Sequence, residues 1–193
     1  MAPAGGRTAP AGSASLRPPG PAAAAVPGPA GTDPAAAIGP RRLLIRTDGA
    51  ARGNPGHASA GAVLIDNDGP NALAQDAVPI ATISDYLGVQ TNNVAEYTGV
   101  VRALRLASEL GAREVRLLLD SMLIVEQLNG RWKVRDAKLI PLNEEARAIL
   151  ATFVRWSAVH VRRAFNSAAD ALANEAIDRA LAGGPASVVR RPS

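Results

Sequence analysis

The hydrophobic period of this chain changes near Asn93, and that change constrains the fold more than any other feature. Before it, apolar runs at Arg42 to Asp48, Ser59 to Asp66 and Ala77 to Ser84 are separated by Gly-, Asn-, Asp- and Pro-rich turns. Runs of that length between turn residues read as strands joined by hairpins, so the folded part opens with three antiparallel strands. From Asn93, Val94, Tyr97, Val101 and Leu104 fall on one helical face, and Gly111 supplies a stop.

The rest alternates between strands and helices. Glu114 to Asp120 (EVRLLLD) is a continuous apolar run of the kind buried on both faces of a sheet. A short helix from Ser121 to Leu128 follows, then a polar loop over 129–138 and a helix with Leu139, Leu142, Ala146, Ile149 and Phe153 on its apolar face. Arg155 to Arg163 reads as the last strand and Ala168 to Leu181 as the last helix, stopped at Gly183 and Gly184. Strands joined through helices run parallel with right-handed crossovers, so the order βββαβααβα predicts an α/β fold with a mixed five-stranded sheet flanked by helices. In such sheets, sites form at the carboxyl ends of strands.

Composition divides the chain. Residues 1–40 are almost all Ala, Pro, Gly, Ser and Thr, and cannot bury enough apolar surface to offset their chain entropy. They are expected to be a disordered tail, with a folded domain over 41–184 and a flexible C-terminal tail over 185–193. The N-terminal stretch lacks the basic start and sustained apolar region of an export signal, and no segment reaches the roughly 18 apolar residues of a membrane span. A soluble, cytoplasmic protein with no membrane association is expected. The sequence pI of 10.3 suggests nucleic acid, but the charge lies mostly at the ends. Of the net +4, one unit belongs to the first forty residues and two to Arg190 and Arg191, leaving +1 for 41–184. Nucleic-acid binding therefore has to be argued from sites.

Four acids hold the candidate chemistry: Asp48 and Asp120 at strand ends, Glu96 one turn into a helix, and Asp170 at a helix start. Strand ends and helix starts can bring distant carboxylates to one sheet edge, where their mutual repulsion calls for cations. With no Cys and only two His, the ligands would be oxygens, which points to Mg²⁺ or Mn²⁺. Each acid also has a plainer reading. Asp48 before Gly49 fits a turn, Glu96 fits a capping box begun by Asn93, Asp120 fits an N-cap, and Asp170 complements a helix dipole.

The runs TDGAARGNPG (47–56), TNNVAEY (91–97), LLLDS (117–121) and NSAADALANEAID (166–178) resemble, in order, the four blocks of type 1 ribonuclease H. The resemblance covers about residues 42–182. It implies the same mixed sheet and cleavage of the RNA strand of RNA–DNA hybrids with two divalent ions, leaving 5′-phosphate and 3′-hydroxyl ends. It makes Asp48, Glu96, Asp120 and Asp170 the metal-binding acids, with Asp48 shared by both ions. Gly49, Gly53 and Gly56 would let backbone approach the sugar–phosphate chain, Asn54, Asn92 and Asn93 would work in the minor groove, and Thr91 would contact a DNA-strand phosphate.

The segment HVRRAFNSAAD (160–170) departs from the common pattern, in which a loop His precedes the last acid. It resembles the archaeal-type and actinobacterial branch, where an Arg takes that place. Here it is Arg163, preceded by Arg162 rather than the branch's usual Pro. Arg is no proton acceptor near neutrality, so its implied work is on the phosphate or on product release. His160 reads as a packed or hydrogen-bonded structural residue, and His57 as solvated. The long basic insertion of some relatives is missing. Only NGRWKVRDAK (129–138) stands there, with Lys133 facing phosphates and Trp132 either against a sugar or under the next helix. Some members of this branch continue into an acid-phosphatase-like domain, and no such second activity is expected. The expected partner is an RNA–DNA hybrid, with double-stranded RNA left open, and the expected state is a monomer. A catalytically silent hybrid-binding module and a DNA nuclease of the same fold are the competing readings.

Overall fold

A computed structural model describes residues 42–191. The expected disorder of residues 1–40 and the end of the C-terminal tail lie outside the described residues. The elements are β1 (Arg42–Gly53), β2 (Gly56–Asp66), β3 (Ala81–Gln90), α1 (Asn92–Glu109), β4 (Glu114–Leu119), α2 (Met122–Leu128), α3 (Leu139–Leu150), β5 (Arg155–His160), a 3₁₀ turn (Arg163–Phe165), α4 (Ser167–Leu181) and β6 (Ser187–Arg190). They form one mixed sheet in the order β5-β4-β1-β2-β3-β6. β1, β2 and β3 pair antiparallel, whereas β4 runs parallel to both β1 and β5.

The sheet has six strands, not the five expected. Residues 187–190, expected in a flexible tail, pair antiparallel with β3, placing Ser187 opposite Asp85 and Arg190 opposite Thr82. Buried Asp85 anchors that strand, accepting from the Ser187 hydroxyl while ion-paired to Arg102. Four residues after a Gly-Gly stop carry no periodicity of their own, so this strand exists only through its tertiary partners. β3 also lies later than expected, at Ala81–Gln90 rather than 77–84, because Asp85, Tyr86 and Gly88 interrupt the apolar run without ending the strand.

The two faces of the sheet bury different sets of alternating residues, as the strand period requires. Leu43, Ile45, Leu117 and Leu119 pack with Tyr97, Leu104, Leu128 and Leu150 of α1, α2 and α3. Leu44, Val63, Ile65 and Leu118 face the other way, with Leu172 of α4 packed against them. α4 lies so close to β2 that a methyl group at Gly61 would come within 2.1 Å of the Ala169 carbonyl oxygen. The Tyr97 hydroxyl donates to Gln127 Oε1 (2.8 Å) and accepts from Asn143 Nδ2 (3.1 Å), so three helices share one buried polar triangle. Burial pushes that phenol up to about 12. Among the described residues, no helix is long and apolar enough to cross a membrane.

Candidate active site

β1 is longer than the sequence suggested, and this changes the setting of Asp48. The Gly-rich segment after Asp48 continues the ladder with β2 down to Gly53 opposite Gly56. Asp48 therefore sits inside β1, not at its end. The end that matters belongs to β4, whose last pair with β1 is Leu119 and Thr47. Asp48 lies one residue beyond that pair on β1, and Asp120 one residue beyond it on β4, so both acids stand where β4 stops and the sheet opens.

Gly49 brings in the third acid. A methyl group at Gly49 would lie 2.2 Å from Glu96 N, so only glycine lets α1 approach β1 this closely. α1 is capped by Thr91, whose hydroxyl accepts from Val94 N at 3.4 Å, and not by Asn93. Glu96 is therefore not the acid of a capping box. The N-cap of α2 is Ser121, not Asp120, and Asp48 is a strand residue and not a turn former. Three of the plainer readings are thereby removed. Asp170 does lie in the first turn of α4, with Arg163 Nη2 donating to its carboxylate at 2.7 Å.

Asp48, Glu96, Asp120, Asn92, Arg163 and Asn174, among others, line an open cavity of about 250 Å³, and Asp170 is joined to it through Arg163. Asp48 is 4% exposed, and its Oδ2 has no hydrogen-bond partner. Burial, then the charge of Asp120, then the Asp170 carboxylate at hydrogen-bonding range of the protonated form, push its carboxyl up to about 8. Burial also raises Glu96, although hydrogen bonds from Ser121 and Asn92 act the other way. Asp170 is held below the usual carboxylate range by the Arg163 guanidinium.

Among the described residues, no three acidic or histidine side chains close into a ready-made metal cage. Each of three acids already has a protein partner: Glu96 accepts from Asn92 Nδ2 at 2.7 Å, Asp120 from Asn166 Nδ2 at 3.0 Å, and Asp170 from Arg163. The buried, unpartnered oxygen of Asp48 nevertheless fits a divalent cation. Hard ions that keep waters and take substrate phosphates as ligands need an open oxygen site of this kind rather than a closed cage.

Asn166 was not among the expected site residues. It is fully buried, and its Nδ2 joins the Thr47 carbonyl oxygen (2.8 Å) to the Asp120 carboxylate. An Asn four residues before the last acid is the signal that could have found it. Buried Arg46 acts similarly on the backbone, donating to the carbonyls of Phe165 and Leu73 and so tying the turn that carries Arg163 to β1.

The other expected residues divide into two groups. Asn54 Oδ1 accepts from Asn92 N at 3.3 Å, so the β1–β2 turn is tied to the start of α1. Gly53 has φ +94°, as that turn requires, and Asn93 is exposed beside it. Trp132 and Lys133 are not at the acids. They line a neighbouring cavity with Gln127, Asn143 and Arg147, and Trp132 is half-exposed. His160 is hydrogen-bonded, its Nε2 lying 3.2 Å from the Asp120 carbonyl oxygen, and it is exposed, not packed. His57 is exposed but not simply solvated, because its ring stacks on Tyr86, with Nδ1 2.5 Å from the phenol oxygen.

Comparison with known proteins gives this geometry a family. The family described as "Reverse transcriptase-like" matches residues 46–176. Ribonuclease HI of Halobacterium salinarum is 41% identical over 152 residues, covering 77% of this chain and 72% of that protein. The crystal structure of RNase H1 from that archaeon superposes with a TM-score of 0.64 at 42% identity, over 71% of this chain and 98% of that one. A compost-metagenome RNase H1, solved in complex with RNA/DNA hybrid, matches with a TM-score of 0.64 at 39% identity, over 72% and 99% of the two chains. The chain belongs to the type 1 ribonuclease H family. A bifunctional protein of Mycobacterium tuberculosis is 44% identical over 139 residues, which are 72% of this chain and 36% of that protein. The chain thus spans about a third of the length of its mycobacterial relatives.

Proposed function

We propose that this protein is a metal-dependent endoribonuclease that hydrolyses the RNA strand of RNA–DNA hybrids in the cytoplasm. The observation that carries it is the meeting of Asp48, Glu96 and Asp120 at one cavity, with a buried Asp48 oxygen unpartnered, in a chain of this family. Asp48, Glu96, Asp120 and Asp170 would hold two divalent ions, Mg²⁺ by preference and Mn²⁺ as a substitute. Bound there, they supply Lewis acidity on both sides of the scissile phosphate for an in-line displacement, leaving 5′-phosphate and 3′-hydroxyl ends.

The protein's own groups do the rest. Asn166 fixes the orientation of the Asp120 carboxylate, as a hydrogen bond behind a metal ligand does. Arg163, 75% exposed and always charged, leaves its pairing with Asp170 to meet the phosphate of the RNA strand. The Thr91 hydroxyl accepts from the helix as its cap and keeps its own proton to donate to a DNA-strand phosphate. Asn54, Asn92 and Asn93 face the minor groove, where 2′-hydroxyls distinguish RNA from DNA, and the Gly53 turn lets the backbone come near. Trp132 and Lys133 extend the contact along the DNA strand from their separate cavity.

The test is cleavage of a labelled RNA–DNA hybrid with Mg²⁺ and with Mn²⁺, beside duplex DNA and an Asp120→Asn variant. Cutting confined to the RNA strand, falling roughly a thousandfold or more in the variant, supports the proposal. Hybrid binding without cutting would leave a silent binding module in its place.

A further inference from the structure

The cavity wall carries a second cation besides Arg163. Arg52, one residue before the turn that ends β1, lines the cavity, and its Nη1 lies 2.7 Å from Asp178 Oδ1. The two side chains are 44% and 68% exposed. Exposed ion pairs add little to stability, so the pairing invites another explanation. Asp170, Asn174 and Asp178 recur every four residues on α4 and form one stripe along it. Arg163 is paired at one end of that stripe and Arg52 at the other.

The backbone of Arg52 has little freedom. A methyl group at Gly56 would lie 2.0 Å from the Arg52 carbonyl oxygen, and Gly53 takes φ +94°, so the turn is closed as tightly as glycine permits. Asn54 ties this turn to α1 on one side, and Arg52 ties it to α4 on the other. Asp178 engages one Nη of Arg52, and a guanidinium carries five N–H donors in a fixed fork, which leaves a face free for a phosphate. Eight residues of helix separate Asp170 from Asp178, about 12 Å at 1.5 Å per residue. The two pairings therefore stand at opposite ends of the stripe, two separate cationic points for one phosphate chain.

We propose that Arg52 is a second phosphate clamp, gripping the RNA strand away from the scissile bond, and that Asp178 is its positioning residue. The proposal rests on the hybrid-cleaving reading of the cavity. It assigns Arg52 to the RNA strand because the side chain opens onto the acids where that strand is cut, whereas Asn54 and Thr91 lie on the α1 side.

The test compares wild type, Arg52→Ala, Arg52→Lys and Asp178→Asn as full chains of matched melting temperature. Hybrid affinity is measured against KCl, together with steady-state cleavage. Arg52→Ala should flatten the slope of log affinity against log salt by roughly one unit and lower kcat/KM about tenfold, with the loss falling on KM. Arg52→Lys should restore the salt slope but only part of the affinity, and Asp178→Asn should raise KM by a smaller factor.

Hybrids with a single neutral methylphosphonate, scanned along each strand, locate the contact. One RNA-strand position should weaken wild type and leave Arg52→Ala indifferent. If wild type cuts the hybrid while Arg52→Ala keeps its slope and KM, the clamp is overturned. If the sensitive position lies in the DNA strand, the strand assignment is overturned. If wild type neither binds nor cuts the hybrid, the underlying reading fails instead.

Discussion

The sheet side and the helix side of the cavity treat their carboxylates in opposite ways. On the sheet side, burial raises Asp48 of β1 and Glu96 of α1, the helix packed on β1 at Gly49, and Asp48 keeps a buried oxygen without a partner. On the helix side, Asp170 is more open, and Arg163 holds it below the usual range. The first arrangement stores unfavourable electrostatics that a cation relieves, whereas the second is relieved already by the protein's own charge. Under the proposed function, one half of the site would take up metal and the other would exchange its cation for substrate.

The strongest way to break this contrast is to loosen the sheet side without removing an acid. Asn166→Ala frees the Asp120 carboxylate to rotate, and metal affinity and cleavage should each fall about 10–100-fold, as for other groups that orient metal ligands. Titration calorimetry with Mn²⁺ beside hybrid cleavage checks this, and unchanged affinity would show that Asp120 needs no orienting partner.

Removing the helix-side cation makes the two halves alike. Arg163→Ala should let the Asp170 carboxyl rise toward its ordinary value and should strengthen divalent-ion binding by a few fold, because one positive charge has left the site. Cleavage should nevertheless fall about tenfold through the lost phosphate contact. A variant that gained both metal affinity and rate would contradict the division of labour.

A further effect is on stability. Asp48 is protonated in the metal-free fold up to about pH 8 but ionises in the unfolded chain within the ordinary carboxylate range. A folded-state pKa raised in this way contributes stability that is complete at acid pH and is lost as pH rises toward 8. Asp48→Asn stays neutral throughout. Without metal, it should exceed wild type by about 1–3 kcal/mol near pH 8 and by nothing near pH 4, read by urea unfolding in chelator.

Much of this was legible in the chain itself. The strand-to-helix switch at Asn93 and the apolar run 114–119 fixed the mixed sheet, and the four motifs brought Asp48, Glu96 and Asp120 together, with Arg163 beside them. What escaped depends on distant partners. β6 has no pattern apart from its pairing with β3, and β1 looked short because Ala50, Ala51 and Gly53 read as a loop until β2 was laid beside them. Asn166 and Arg52 were passed over for a related reason. An Asn beside a helix start and an Arg before a turn have ordinary local explanations, and only the folded sheet aims them at the acids.

The contact at Gly49 has a consequence for how this site ages. Because the Glu96 backbone fills the place of a missing side chain, two of the acids are separated by no more than the contact between two core elements. No hinge or lid carries them, so no partial opening spreads them apart without also parting α1 from β1. Proteins open in cooperative units whose free energies range from frayed ends to the whole fold, and elements packed this closely in the core are expected to open together. Heat or denaturant should therefore abolish catalysis and unfold the core in a single transition, with no window in which a folded protein has lost its site.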